Sequence, residues 1–590
     1  MMKTALSKFE QLPDGPVTAD IVVTSRNTAI YIGTAIILTA LALRLWGIWN
    51  VSATDEYNEV LEALRVGSGH LNFMRWGKRV YLYLLAVEYG IYFALGWILD
   101  IFQSRMDFAA QIVRNMEPLF IIGRITSALC GTLTVAWLYQ IGRRFFNPLT
   151  GMVAAILLSI TVFHIDLSQQ AKVDALLGLF VVGVIYFTLK IATGQAMRRD
   201  FVWCGALTAL AIQTKINTVV LGGPLLVALV YHWRDHGASQ VVRSFSMYYM
   251  PAFLVGFLLG NPPVLIAPHK YLQAMLGVSK VYTEAINENP STMIGFLAYP
   301  FSFYRAMGFA VCALAVGALV FGLLRPNRRR ALMLAFILPF YLVMGASRYM
   351  VYPYYIIPAL PFLYLLMGDL IASLWTRIAS NIAISTAKVQ ILFAALGCLM
   401  LVPPVISAYR HSITLTGPNT RYLAKQWIEA NIPADSKILM DSGKSINSSA
   451  PLIAENRATL ERILSHARSN IEQGKIVNAM VDSNALIYYE LLLQTVPPKA
   501  YDITSTMFGL ELEPVDYYLE NGYDYFIISK SMKEARTTGF SIREHPQAAQ
   551  FYASLEQDLR LHLIQVIRPG RLNRGDTFLI YRLDRKTFAS

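Results

Sequence analysis

The sequence predicts a polytopic α-helical membrane protein, with about 11 transmembrane helices and external juxtamembrane helices, followed by a C-terminal soluble α/β domain. Three observations predict it. Of the 590 residues, 55% are hydrophobic and only 15% charged, against roughly 25% charged in soluble domains. Apolar runs of about 20 residues, the length that crosses a hydrocarbon core of about 30 Å, recur over residues 27–411. Over residues 412–590 charges, Asn and Gln return in short mixed segments, as in an ordinary soluble domain.

Residues 1–26 carry Lys3, Lys8 and Arg26 but no apolar core with a small-residue cleavage site, so they read as a cytoplasmic tail. Spans are expected to start near Asn27, Pro118, Thr150, Asp174, Phe201, Asn217, Ser244, Arg305, Ala331, Tyr355 and Val389. The stretch RVYLYLLAVEYGIYFALGWILDIF, 79–102, is also long enough to cross, but it carries Glu88 and many aromatics. Charge decides its placement. If it lies flat, the basic loops at Arg143 and Arg144, Arg198 and Arg199, Arg234 and Arg243, 325–330, and Arg377 with Lys388 all share the N-terminal side. If it spans, every one of them reverses. Their agreement favours the flat placement, with the N-terminus inside, residues 51–117 as one large external loop, and the tail domain outside. The net charge of +13 is then a topology signal, and no nucleic-acid partner is expected. Cys130, Cys204, Cys312 and Cys398 all fall in apolar runs, so no disulfide framework is indicated.

The external loops gather the ionisable residues. In TDEYNEVLEALRVGSGHLNFMRWGKR, 54–79, Thr54 suits a helix N-cap and Tyr57, Val60, Leu61 and Leu64 follow at helical spacing up to Gly67. This predicts a short amphipathic helix on the bilayer, with Asp55 and Glu56 in its first turn, where the helix dipole favours their ionised form. Lys78 and Arg79 end the stretch. The second loop, HIDLSQQAKVD, holds His164, Asp166, Lys172 and Asp174 at a span boundary, and ionisable residues at membrane depth are functional candidates. Lys215 follows in LAIQTKIN, Arg348 and Tyr349 in SRYMVYPYY, and His269 and Lys270 in a long segment from Asn261 expected to cover the cavity.

Taken singly, each acid is a good helix N-terminal residue and each cation a snorkelling boundary residue. Collected on one side, they describe a site that holds an anion beside a carboxylate base. A lipid-linked phosphate sugar fits: displacing its phosphate needs cations on the leaving oxygen and a carboxylate for the proton of the incoming hydroxyl. Asp55 reads as the base, with Glu56 or Asp174 orienting it or the sugar. Lys78, Arg79, Lys172, Lys215 and Arg348 read as phosphate clamps. A transporter of charged lipids would instead show paired repeats and mid-span charges.

The arrangement resembles the GT-C glycosyltransferases that use polyprenyl-phosphate sugars, particularly the protein O-mannosyltransferase and lipid A aminoarabinose transferase group. Asp55 and Glu56 match that group's early acidic pair, and GKRVYLYLLAVEYG matches its Lys-containing stretch before an aromatic interfacial helix. GRITSALCGTLTVAWLYQIGRRFF, 123–146, matches an Arg-led span, SQQAKVD matches a loop ending in an Asp at Asp174, and RYMVYPYYIIPALPFL matches a later basic-Tyr turn. The resemblance implies sugar transfer from a polyprenyl-phosphate donor, with inversion, to a glycan, lipid or protein acceptor outside a bacterial inner membrane. A ligase or oligosaccharyltransferase moving a larger glycan is the rival within the same group. Asn58 and Lys78-Arg79-Val80 depart from the aminoarabinose pattern, so that substrate is not carried over. Some members bind a divalent ion, for which Asp55, His164 and Asp166 are the candidates with Mg or Mn as the metal, and others use none.

In the tail, a helix is expected over 421–430, and strands over 437–441, 501–504, 524–529, 561–567 and 577–583, the last two as a hairpin. Acceptor recognition or a lid over the site is the expected role of this domain.

Overall fold

The computed structural model describes residues 26–51, 56–69, 79–269, 271–273, 276–277, 293–347, 351–381, 386–441, 450–472, 483–506, 509, 512–538, 542–543 and 545–584. All eleven apolar segments are helical. Helices α1 (Arg26–Leu45), α2 (Glu56–Gly67), α3 (Arg79–Ile98), α4 (Arg105–Arg114) and α5 (Glu117–Ile141) come first. Next are α6 (Pro148–Ile160), α7 (Val162–Ser168), α8 (Val173–Ala192), α9 (Arg198–Thr214), α10 (Gly222–His236) and α11 (Ala238–Gly260). The membrane part closes with α12 (Gly295–Leu324), α13 (Arg328–Gly345), α14 (Leu360–Asn381) and α15 (Thr386–Ile413).

Among the described residues nine helices are long and apolar enough to cross a membrane, or ten with the bent pair α6–α7 as one span. This set differs from the expected eleven at three places. Helix α9 has only 17 residues, α13 begins on Arg328, Arg329 and Arg330, and α3 passes by length and composition. The contacts of α3 are particular. Its Tyr81 hydroxyl lies 3.0 Å from Ser127 Oγ, and its Tyr89 hydroxyl donates to the Leu119 carbonyl at 3.3 Å. At 1.5 Å of rise per residue, α3 therefore starts about 15 Å along α5 and runs back past the start of α5.

The bend of 63° between α6 and α7 removes intrahelical donors from the carbonyls on its N-terminal side. The fully buried Arg44 replaces them, donating to the carbonyls of Leu158 at 3.3 Å and Ser159 at 3.5 Å. Small residues let α5 approach this bend closely: a Cβ on Gly131 would sit 2.2 Å from Ser168 Oγ.

The tail carries α16 (Thr420–Asn431), β1 (Lys437–Met440), α17 (Arg457–Glu472), α18 (Ser483–Gln494) and β2 (Asp502–Ser505). It continues with α19 (Val515–Glu520), β3 (Tyr525–Ser529), α20 (Lys530–Arg536), α21 (Pro546–Ser554), β4 (Leu561–Ile567) and β5 (Phe578–Leu583). The five strands lie in the order β2-β1-β3-β5-β4, with β1 parallel to β2 and β3, and the β4–β5 hairpin antiparallel at one edge. The nearly continuous apolar runs of β1 and β3 follow from cover on both faces. Ala424 and Ile428 of α16 pack on one face, and Val515, Tyr518, Phe551 and Tyr552 on the other. Every tail element expected from the sequence is present within a residue or so of its expected bounds.

Asp441 follows β1 and is almost wholly buried, accepting from the Ser529 N–H at 3.0 Å and the Tyr552 hydroxyl at 3.2 Å. Burial pushes its carboxyl up to about 8, and nearby Asp576 acts in the same direction. The folded chain then holds a proton that the unfolded chain releases near pH 3.9. The contribution of Asp441 to tail stability is therefore complete below about pH 4 and falls, by at most about 1.4 kcal/mol per pH unit, up to about pH 8. Asp441→Asn is expected to flatten that slope, because the amide oxygen still accepts from Ser529 and the NH₂ donates to Tyr552. Urea midpoints of the tail in the full-length protein, measured between pH 5 and 8, test this; an unchanged slope in the variant refutes it.

Candidate functional site

Helix α5 places Glu117 and Arg124 seven residues apart on one face, at the end of the helix nearest α2 and the tail. All five N–H groups of the buried Arg124 are used. Nε and Nη2 form a fork onto the two oxygens of Glu56, each at 2.9 Å. Nη1 reaches the Ile48 carbonyl at 3.1 Å and Glu117 Oε1 at 3.0 Å, and Nη2 also reaches the Val51 carbonyl at 2.8 Å. Glu56 takes a third hydrogen bond, from the Ala171 N–H at 2.8 Å. A buried pair of this kind holds only when its geometry is good and its remaining groups are satisfied, and both conditions are met.

This pairing corrects the amphipathic reading of α2. The sequence stripe is Tyr57, Val60, Leu61 and Leu64, but the helix buries Glu56, Glu59, Val60 and Ala63. The Arg124 fork draws Glu56 inward and turns the helix by one position, about 100°. Val60 and Ala63 pack with Tyr81, Leu82 and Leu85 of α3, and α2 is part of the protein interior instead of resting on lipid through its apolar face. Tyr57, Leu61 and Leu64 face a cavity.

The second loop joins Glu56 to a cluster of charge. Lys172 caps α8 in extended conformation, Asp174 lies in its first turn, and Lys215 caps the end of α9. Lys215 Nζ donates to Asp174 Oδ1 at 2.8 Å and lies 4.8 Å from the centre of the Tyr355 ring. Lys172 Nζ lies 5.6 Å from the Tyr354 ring. Lys172 and Asp174 are both buried. Thus three of the expected residues, Lys172, Asp174 and Lys215, come together under two tyrosines, and the Ala171 N–H ties the same loop to Glu56.

Asp55, Lys78, Arg348, Tyr349 and Lys270 lie outside the described residues. Arg79 opens α3. His269 is exposed and does not line the cavity. The metal reading of His164 and Asp166 is corrected: two residues apart on α7, they point about 200° apart. His164 Nδ1 accepts from Arg44 Nη2 at 2.8 Å, where a guanidinium would repel a metal ion. Asp166 turns to the tail, accepting from Arg574 at 3.0 Å and from Gln170 at 2.8 Å. Among the described residues no group of three His, Cys, Asp or Glu side chains could hold a metal ion.

A cavity of about 1940 Å³ lies between α2, α4 and α5 on one side and α16 and α18 of the tail on the other, with Glu56 and Arg124 in its wall. The Tyr422 hydroxyl on α16 donates to Glu117 Oε2 at 3.1 Å, so the chain Tyr422–Glu117–Arg124–Glu56 runs from the tail to the acid-bearing helix. Burial, reinforced by Glu117, pushes the Tyr422 hydroxyl up to about 12, so it keeps its proton. Glu117 and Tyr422 are residues of this network that the sequence did not single out, and Arg124 was marked only as the Arg of the span 123–146. A lone Arg in an apolar span was the available signal.

Residues 119–242 match the family model described as dolichyl-phosphate-mannose-protein mannosyltransferase. None of the curated proteins matches the chain significantly. Among solved structures, ArnT from Cupriavidus metallidurans in the apo state is similar with a TM-score of 0.51 at 14% identity, over 95% of this chain and 98% of that one. The same protein bound to undecaprenyl phosphate gives 0.49 at 15% identity, over 95% and 98%. The apo oligosaccharyltransferase of Archaeoglobus fulgidus gives 0.49 at 11%, over 90% and 73%.

Proposed function

Since the chain has the GT-C glycosyltransferase fold, we propose that it moves a sugar from a polyprenyl-phosphate donor to an acceptor hydroxyl or phosphate on the extracytoplasmic side, in one inverting displacement. The observation that carries this reading is the double attachment of Glu56, to Arg124 and to the Ala171 N–H. It holds the start of an acid-bearing helix against the loop of Lys172 and Asp174. The description of the matched family, which names a dolichyl-phosphate sugar as donor, agrees with it.

In the step, the acceptor oxygen attacks the anomeric carbon as the bond from that carbon to the phosphate oxygen breaks. Asp55 takes the acceptor proton. The phosphate leaves with the bonding pair, and Lys172, Lys215, Lys78, Arg79 and Arg348 take up its charge. Tyr349 and His269 complete the donor contacts. Glu56, whose carboxylate accepts three hydrogen bonds, anchors the helix. Asp174 orients Lys215 through their 2.8 Å pair. No step requires the Mg or Mn ion, whose candidate ligands His164 and Asp166 are engaged elsewhere.

The proposed orientation is supported by α5, which starts at Glu117 beside the tail's Tyr422 and runs into the basic pair Arg143 and Arg144 just past its end. Positive residues favour the cytoplasmic side, so the tail faces outward from what we read as a bacterial inner membrane. Helix α3, lying alongside only the first part of α5, belongs to the outer leaflet as a juxtamembrane element.

Reconstituted full-length protein, given labelled polyprenyl-phosphate sugars and candidate acceptors, tests the reading. Free polyprenyl phosphate should appear in step with transferred sugar of inverted configuration. Label crossing the membrane without release of free carrier points to a flippase, turnover of whole oligosaccharides alone to a glycan ligase, and a retained anomer refutes direct attack.

A further inference from the structure

We infer that the cavity between α2 and the tail domain takes a hydroxyl-rich glycan chain as the acceptor of the proposed reaction. The inference rests on the sugar-transfer reading, which puts the base Asp55 next in the chain to Glu56 of the cavity wall, and adds the chemical class of the second substrate.

Size is the first argument. Pockets for small molecules enclose roughly 300–1,000 Å³. At about 1940 Å³ this cavity is suited to a chain of several units. Its walls are the second. The Tyr57 hydroxyl donates to that of Tyr488 at 3.1 Å, and the Tyr488 and Tyr489 rings meet edge to face, 5.3 Å apart at 73°. Glu455 lines the same cavity as all three tyrosines. A sugar ring offers C–H groups on its faces and hydroxyls around its rim. Aromatic faces with polar tips, and a carboxylate in the same cavity, match both parts.

The charges of the cavity are largely paired within its wall. Arg65 pairs with Glu62 at 2.8 Å, Lys425 with Glu429 at 3.8 Å, and Arg124 with Glu56 and Glu117. Arg421 Nε donates to the Ala450 carbonyl at 2.7 Å. Four of the six cations that line the cavity thus hold partners inside the wall, and the other two, Arg105 and Arg114, are exposed. A peptide fits less well, because the walls are chiefly helical. Among the described residues the one strand residue in the lining is Ser505, at the end of the edge strand β2, so an extended peptide finds little edge to pair with.

The experiment uses full-length protein in nanodiscs and three probes: an array of defined neutral oligosaccharides, a Ser/Thr-rich peptide, and vesicles of phosphatidylglycerol. Saturable binding to oligosaccharides is expected. With the best oligosaccharide as acceptor, Tyr488→Ala and Glu455→Gln should each raise its KM about tenfold, while slow hydrolysis of the donor by water stays at the wild-type rate. That unchanged hydrolysis also reports that the variants are folded. Binding to the peptide or the vesicles alone, no oligosaccharide binding beside intact donor hydrolysis, or unchanged acceptor KM in both variants overturns the inference and leaves the donor reading standing. Loss of donor hydrolysis by the wild type would instead sink the sugar-transfer reading itself.

Discussion

Replacing Arg124 by methionine is expected to lower sugar transfer by about 10²-fold or more while the protein still inserts and purifies. The change removes five hydrogen bonds at once and leaves the Glu56 carboxylate buried without its partner. Removing one member of a buried ion pair costs about 3–5 kcal/mol. Glu56 and the start of α2 then leave their places. Displacement of a reacting group by about 1 Å suffices for a loss near 10²-fold. Arg124→Lys is the sharper variant. It keeps the charge but not the fork, and one ammonium cannot serve Glu56, Glu117 and two carbonyls together. The lysine variant should therefore stay folded, with kcat lowered and donor KM little changed. A lysine variant with wild-type kcat would show that Arg124 merely neutralises charge and positions nothing.

The legible parts of the molecule were those coded by local pattern. Every apolar segment became a helix because length and hydropathy alone decide it. The strands of the tail were visible because β1 and β3 are short apolar runs between turn residues and β4 and β5 are joined by RPGRLNRGD. The rotation of α2 was not legible, since it depends on Arg124, 68 residues further along the chain. Of the cations and acids read from the sequence, Lys172 and Asp174 of the second loop do meet Lys215. Their tyrosine partners, Tyr354 and Tyr355, come from a segment read only for Arg348 and Tyr349. His164 and Asp166 looked like a metal pair because they are close in sequence. On a helix that closeness separates them, and the bend that gives His164 to Arg44 leaves only a Thr161 between two apolar stretches as its trace.

Asp55→Asn is expected to lower turnover by about 10²–10⁴-fold, the contribution of a general base, with donor KM unchanged. The argument passes through its neighbours. Glu56 is committed to Arg124 and Ala171, and Asp174 to Lys215, so each of those carboxylates already serves another group. A base must present an oxygen to the acceptor hydroxyl, and the oxygens of Glu56 and Asp174 are turned to Arg124, Ala171 and Lys215 instead. By elimination among the expected acids, the proton falls to Asp55, next in the chain to a residue anchored from two sides. Asp174→Asn, which removes only the partner of Lys215, should cost about tenfold in kcat/KM for the donor, through weaker hold on the leaving phosphate. If instead Asp174→Asn is inactive and Asp55→Asn turns over like the wild type, the base lies on α8, and the first loop serves only to shape the site.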